Sequence, residues 1–399
     1  MNPICNPYTP GAGLPPPVLA GRDALRERVR IAIARLRLGR SAKSVLMVGL
    51  RGVGKTVLLE QMRLDAEGEG VHTLCIDDPE HRSLPAVLAP QLRLVLLRLS
   101  RIDAAKDTAQ RALSALAGFA TALEGRFNDR EVDLDFDAEA AGLADHCQGE
   151  GDLTTLLEQT GLAAQLADSA LVLFIDEFHC IEKSQLSALI MVLHCCVQAR
   201  LPVTVVGAGL PQLRGLVGNA KPYAERLFDF AEIGPLSQQE AADAIVQPAE
   251  AEGVAYEAEA VRLIVAKTQG YPYFLQAWAN HAWDVAAASP ITVADVNKAA
   301  SEASAALDER FFRVRLPRLT PMEKKYLRAM ADLGPGPHRS DEIAERQGRR
   351  VQAIAPVRHS LIAKGMIWSP GRGDVAFTIP FFDEFLKRIA PGDDGNGVS

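Results

Sequence analysis

The chain has 399 residues, long enough for two or three domains, and its 48% apolar and 23% charged residues match an ordinary globular protein. It carries a net charge of −7, and no uninterrupted run of 18 apolar residues exists, which excludes a membrane-spanning helix. The N-terminus has neither the basic patch nor the apolar run of a signal peptide, so a cytoplasmic protein is expected.

Six of the first 17 residues are proline (Pro3, Pro7, Pro10, Pro15, Pro16, Pro17), and this stretch reads as a loose arm. Residues 21–39 carry leucine and isoleucine at helical spacing, with Gly39 placed to end the helix. Four short apolar runs, SVLMVG (44–49), VHTLCID (71–77), LVLFID (171–176) and PVTVVG (202–207), read as buried parallel strands separated by helices. Between the second and third lies an Ala/Leu-rich helical section, about 85–125, followed by the acidic loop EVDLDFDAEAAGLADHCQGEGD. The six cysteines lack C-x-x-C spacing. Cys195 and Cys196 after His194, and Cys180 beside His179, are expected to be core thiols.

After Pro235 the strands stop. Ser237-x-x-Glu240 and Thr292-x-x-Asp295 are capping boxes before helical stretches, so residues 236–305 predict about four helices. Thr320-Pro321-Met322-Glu323 opens a third unit, with helices expected over 320–332, 340–347 and 350–364. GMIWSPGRGDVAFTIP then predicts a β-hairpin, and three helices followed by a hairpin is the winged-helix arrangement.

Gly49-Leu50-Arg51-Gly52-Val53-Gly54-Lys55-Thr56 fits the phosphate-binding loop G-x-x-x-x-G-K-[ST], between an apolar strand and a helix. Its amides, through Val57 at the helix start, would cradle phosphates. Lys55 would reach the β/γ-phosphates, and the Thr56 hydroxyl would ligate Mg²⁺. Asp176-Glu177 ends the LVLFI strand, where open α/β sheets place ligands. Asp176 would hold Mg²⁺ and Glu177 would polarise an attacking water. Two carboxylates ending a buried strand need a cation nearby.

Around these motifs the sequence resembles the AAA+ ATPases over roughly residues 18–390, in particular the origin-recognition-like group and the neighbouring STAND signalling ATPases. The resemblance implies a parallel-sheet P-loop domain over 18–235 (helical insertion about 81–165), a helical lid over 236–305 and a winged-helix domain over 306–390, with a flexible arm (1–17) and tail (391–399). Gly21-Arg22-Asp23 resembles the box that contacts adenine in that group, and Gly270-Tyr271-Pro272 resembles the lid motif that contacts nucleotide, which assigns Arg22 and Pro272 to the site. Arg226 stands where AAA+ proteins carry an arginine finger; an ion pair with Glu225 or Asp229 is the alternative, and the sequence holds both open. Two departures from the family are visible. The fourth strand ends in Gly207-Ala208-Gly209 without a polar sensor residue (Thr204 lies further back), and YPYFLQAWANHAW in the lid contains no arginine. ATP binding with slow, Mg²⁺-dependent hydrolysis is the expectation.

Residues 313–390 hold 15 Lys/Arg against 8 Asp/Glu, a net of +7 in an acidic chain, which is the electrostatic footprint of DNA binding. Arg349, Arg350 and Arg358 would flank or occupy a recognition helix, and Arg372 at the hairpin tip could enter a minor groove. The reading is a nucleotide-controlled switch on duplex DNA, compatible with a homo-oligomer in the ATP state. The alternative is a STAND-like module whose winged helix contacts protein. A motor is disfavoured, for no substrate-threading loop is evident.

Overall fold

The computed structural model describes residues 1–11, 13–77, 79, 83–126, 150–221 and 223–389. Most of the acidic loop and the tail lie outside them. Helix α1 (Asp23–Arg37) precedes strand β1 (Ser44–Val48), and α2 (Lys55–Gly68) leads to β2 (His72–Ile76). The insertion supplies α3 (Leu84–Leu99), α4 (Lys106–Arg126) and α5 (Glu150–Leu166), which bury the leucine stripe Leu88, Leu92, Leu96 and Leu99. Then come β3 (Leu171–Ile175), α6 (Lys183–Gln198), β4 (Val203–Gly209), α7 (Leu213–Ala220), the single turn α8 (Ala224–Leu227) and β5 (Phe228–Glu232).

The five strands form one parallel sheet in the order β2-β3-β4-β1-β5. Strands β1, β3 and β4 are buried throughout, as uniformly apolar runs flanked by helices require. The four expected strands are present. Strand β5 was not foreseen, because FDFAE is an edge strand in which only Phe228 and Ala231 are buried. With β4 seated between β1 and β3, the loop after β1 and the carboxylates after β3 meet at one end of the sheet.

Beyond the sheet lie α9 (Gln238–Ala251), α10 (Ala258–Thr268), α11 (Pro272–Val285) and α12 (Val293–Leu307). All three expected capping boxes form, at Ser237/Glu240, Thr292/Asp295 and Thr320/Glu323. A π turn (Asp308–Phe312) and a 3-10 turn (Arg313–Arg318) connect to α13 (Pro321–Leu333), β6 (His338–Arg339), α14 (Ser340–Arg346), α15 (Val351–Ala363), β7 (Ile367–Trp368), β8 (Asp374–Phe377) and α16 (Phe382–Arg388). Strands β6, β8 and β7 make a small antiparallel sheet.

The helices after 236 and the unit after 306 share one core. Phe311 and Phe312 of the connector are buried; Phe312 stacks on Phe385 of α16 at 5.1 Å, while Phe274 of α11 meets Phe311 at 5.2 Å. One expectation changes here: the proline-rich start is not a loose arm. Tyr8 is 2% exposed against Trp283 and donates its hydroxyl to the Ile245 carbonyl. Asn6 donates to the Asn280 carbonyl, Asn280 to that of Tyr8, and Trp283 Nε1 to that of Asn2. Proline pre-extends this segment, lowering the entropy lost when it docks.

Candidate functional site

The loop after β1 turns tightly because its glycines allow it. A Cβ at Gly49 would strike the Ile233 carbonyl oxygen, and Gly54 caps α2 at φ +87°, where a side chain is strained. Lys55 folds back on this loop, donating Nζ–H to the carbonyls of Gly49 (2.9 Å) and Leu50 (2.8 Å). Burial pulls its ammonium down to about 8, against the opposing attraction of Glu177.

Across the sheet end, the Thr56 hydroxyl donates to Asp176 Oδ2 at 2.6 Å. Burial raises the Asp176 carboxyl, and the bond from Thr56 partly offsets it. A buried carboxylate touching a hydroxyl, both of them oxygen donors, fits a hard divalent cation, so Thr56 and Asp176 are the residues that would hold Mg²⁺. Glu177 adopts φ +42°, a left-handed conformation uncommon for a side-chain-bearing residue. Its carboxylate meets Arg51 Nη1 at 3.4 Å and His179 Nε2 at 3.3 Å.

Cys180 was expected to be a core thiol and is half-buried, while the buried His179 beside it belongs to the site. The Leu210 amide donates to Nδ1 at 3.4 Å, which leaves the proton on Nε2 facing Glu177. Burial lowers its pKa to about 4, so the ring stays neutral. Gly207 and Gly209 of β4 are small because Phe178, Leu46, Leu213 and His179 crowd them, the physical reason no polar side chain ends that strand.

A cavity of about 420 Å³ opens from the loop. Gly52, Val53, Gly54, Lys55, Thr56 and Val57 line its floor, with Arg51 and Glu177 at one side. Arg22 reaches in from before α1, donating to the carbonyls of Gly234 (2.7 Å) and Val53 (3.3 Å). Pro272 starts α11 beside it, and the next amide, that of Tyr273, donates to the Gly52 carbonyl at 3.2 Å. Two walls were not legible in the sequence. One is made by N-terminal residues, among them Thr9, Pro10, Leu14 and Leu19, and the other is Arg315 from the 3-10 turn.

The family model described as the AAA ATPase domain matches residues 18–206. This chain carries an AAA ATPase domain. A Walker-type ATPase of Pyrococcus abyssi shares the fold, with a TM-score of 0.56 at 13% identity over 92% of this chain and 96% of that one. Cdc6p from Pyrobaculum aerophilum (TM-score 0.48, 13% identity, 97% of each chain) and the Aeropyrum pernix Orc1 protein in complex with DNA (0.47, 17%, 93% of each) are also similar. Residues 309–386 match a domain of unknown function (DUF8462). No curated protein matches.

Other expected residues stand apart from the AAA ATPase site. Arg226 is exposed on α8 and has no ion pair among the described residues; Asp229, its alternative partner, meets Arg28 at 3.4 Å. Arg349 and Arg350 are exposed just before α15, and Arg372 is exposed between β7 and β8. Arg358 is a correction. It is half-buried and turned inward, donating to Ser369 Oγ (2.9 Å) and the Asp374 carbonyl (3.4 Å), so it fastens the hairpin to α15. No helix among the described residues is long and apolar enough to cross a membrane.

Proposed function

We propose that the chain is an ATP-binding switch that hydrolyses ATP slowly with Mg²⁺ and presents its C-terminal unit, as a winged helix, to duplex DNA. One observation carries the switch: the C-terminal unit sits directly on the phosphate loop. The Arg51 amide donates to the Thr378 carbonyl at 3.0 Å, and the turn at Gly365 lies against the Arg51 guanidinium. A triphosphate seated in the loop therefore acts on residues that the C-terminal unit also holds, and its differential affinity for the two arrangements bounds any shift.

In this reading the amides of residues 52–57 and Lys55 bind the phosphates. Mg²⁺ held by Thr56 and Asp176 supplies positive charge to the phosphate oxygens. Glu177 orients the attacking water and accepts its proton. Slow turnover is supported by the ties of Glu177 to Arg51 and His179 and by the glycines ending β4. Arg226 is free to reach a second copy.

Duplex DNA is supported by the +7 charge of residues 313–390 and by exposed Arg349, Arg350 and Arg372. The protein-contact reading has its own support. Val351, Ala355 and Pro356 are exposed on α15, an apolar face unusual for a phosphate-facing helix. Fluorescence anisotropy with duplex DNA, across salt and with ADP or a non-hydrolysable ATP analogue, separates the two. DNA binding that weakens steeply with salt and differs between nucleotides is expected; no salt-sensitive binding in any nucleotide state overturns the DNA reading.

A further inference from the structure

Arg315 stands out among the cations of the connector. Arg313 pairs with Glu309 at 3.3 Å, Arg388 pairs with Asp308 across the same turn, and Arg310 and Arg318 are exposed. Arg315 is half-buried, has no carboxylate partner among the described residues, and lines the cavity above Lys55 and Thr56. Its guanidinium carbon lies 4.6 Å over the ring of Phe311, which in turn stacks on Tyr273 with centroids 4.6 Å apart. The Tyr273 amide is bonded to Gly52, so the aromatic pair fixes the guanidinium relative to the phosphate loop.

Electrostatics point the same way. Burial, helped by the nearby Arg51 charge, lowers the Arg315 pKa to about 10. Lys55, Arg51 and Arg315 thus share one cavity whose lining carboxylate, Glu177, already has partners. A half-buried arginine without a counter-ion is costly unless an anion arrives, and its planar fork matches phosphate oxygens.

We propose that Arg315 binds the outermost phosphate of the nucleoside triphosphate, on the same chain, and so ties the 313–318 connector to the presence of the third phosphate. The proposal rests on the ATP reading above. The connector leads directly into α13, so the contact gives the C-terminal unit a second link to the nucleotide, one that a diphosphate cannot make.

The test is calorimetric titration of ADP and a slowly hydrolysed ATP analogue, with Mg²⁺, into the full chain and its Arg315→Met and Arg315→Lys variants. Methionine keeps the apolar cover on Phe311, and thermal melting without nucleotide verifies folding. Arg315→Met is expected to weaken the triphosphate about 10- to 100-fold while ADP affinity stays within about twofold, with lysine intermediate. Equal losses for both nucleotides, or an unchanged triphosphate affinity, overturn the proposal while leaving ATP binding intact. A wild-type chain that binds neither nucleotide removes the ATP reading itself, and the proposal with it.

Discussion

Thr56 and Asp176, 120 residues apart in sequence, are joined by a 2.6 Å hydrogen bond across the end of the sheet. Burial raises the Asp176 carboxyl, so its ionisation costs the nucleotide-free protein stability as pH rises through the folded-state value. Asp176→Asn keeps an oxygen for Thr56 and removes the charge. It should stabilise the nucleotide-free protein in urea at pH 7, with the gain shrinking in acid, and cut Mg²⁺-dependent hydrolysis by about 100-fold or more. A less stable variant at pH 7 would contradict the burial argument.

Lys55 gives a pH dependence in nucleotide affinity. Its ammonium is held down to about 8 by burial, so above that pH the empty site carries a neutral amine. Triphosphate binding favours the charged form, and the protein must then take up a proton. Affinity should therefore fall toward about tenfold per pH unit above pH 8, and binding heats should vary with the buffer's ionisation enthalpy. A flat profile from pH 7 to 9.5 would rule out the depressed value.

The docked N-terminal segment makes a stability prediction. Tyr8→Phe loses the hydroxyl's bonds to the Ile245 carbonyl and to Tyr256 and should cost about 1–2 kcal/mol. Tyr8→Ala empties the pocket against Trp283 and should cost about 3–5 kcal/mol. Because Thr9, Pro10 and Leu14 of this segment wall the cavity, the alanine variant should also release bound nucleotide faster. Urea midpoints and stopped-flow displacement measure the two effects; equal stability of all three proteins would mean the segment is not anchored.

The C-terminal arginines divide by exposure. Replacing Arg349 and Arg350 together by alanine should leave stability within about 0.5 kcal/mol and lower the salt slope of duplex binding by about 2. Arg358→Ala should instead destabilise the unit by about 1–3 kcal/mol, since Ser369 Oγ loses its donor and the Asp374 carbonyl keeps the bond from Ser369 but loses that from Arg358. Reversed outcomes would put Arg358, and not the exposed pair, on the binding face.

Much was legible in the sequence because it depends on residues close together in the chain. GLRGVGKT specifies its turn through glycines and its helix start through consecutive amides, and each capping box closes within four residues. Apolar runs of five to seven residues announced four of the five strands. The fifth was hidden, since an edge strand buries half its side chains and lacks the continuous signal.

What only the tertiary structure decided are matters of which distant groups become neighbours and which cations lose their partners. Nothing near Tyr8 in the sequence announces Trp283, and no motif marks Arg315 as facing a loop some 260 residues earlier. Arg358 and Arg350 look alike in sequence, yet Arg358 on α15 is turned into the fold while Arg350, just before that helix, is left in solvent. Local sequence sets backbone conformation through short-range hydrogen bonds and sterics. Burial and electrostatic pairing depend on the whole packed chain, and they decide which charges remain free to meet a ligand.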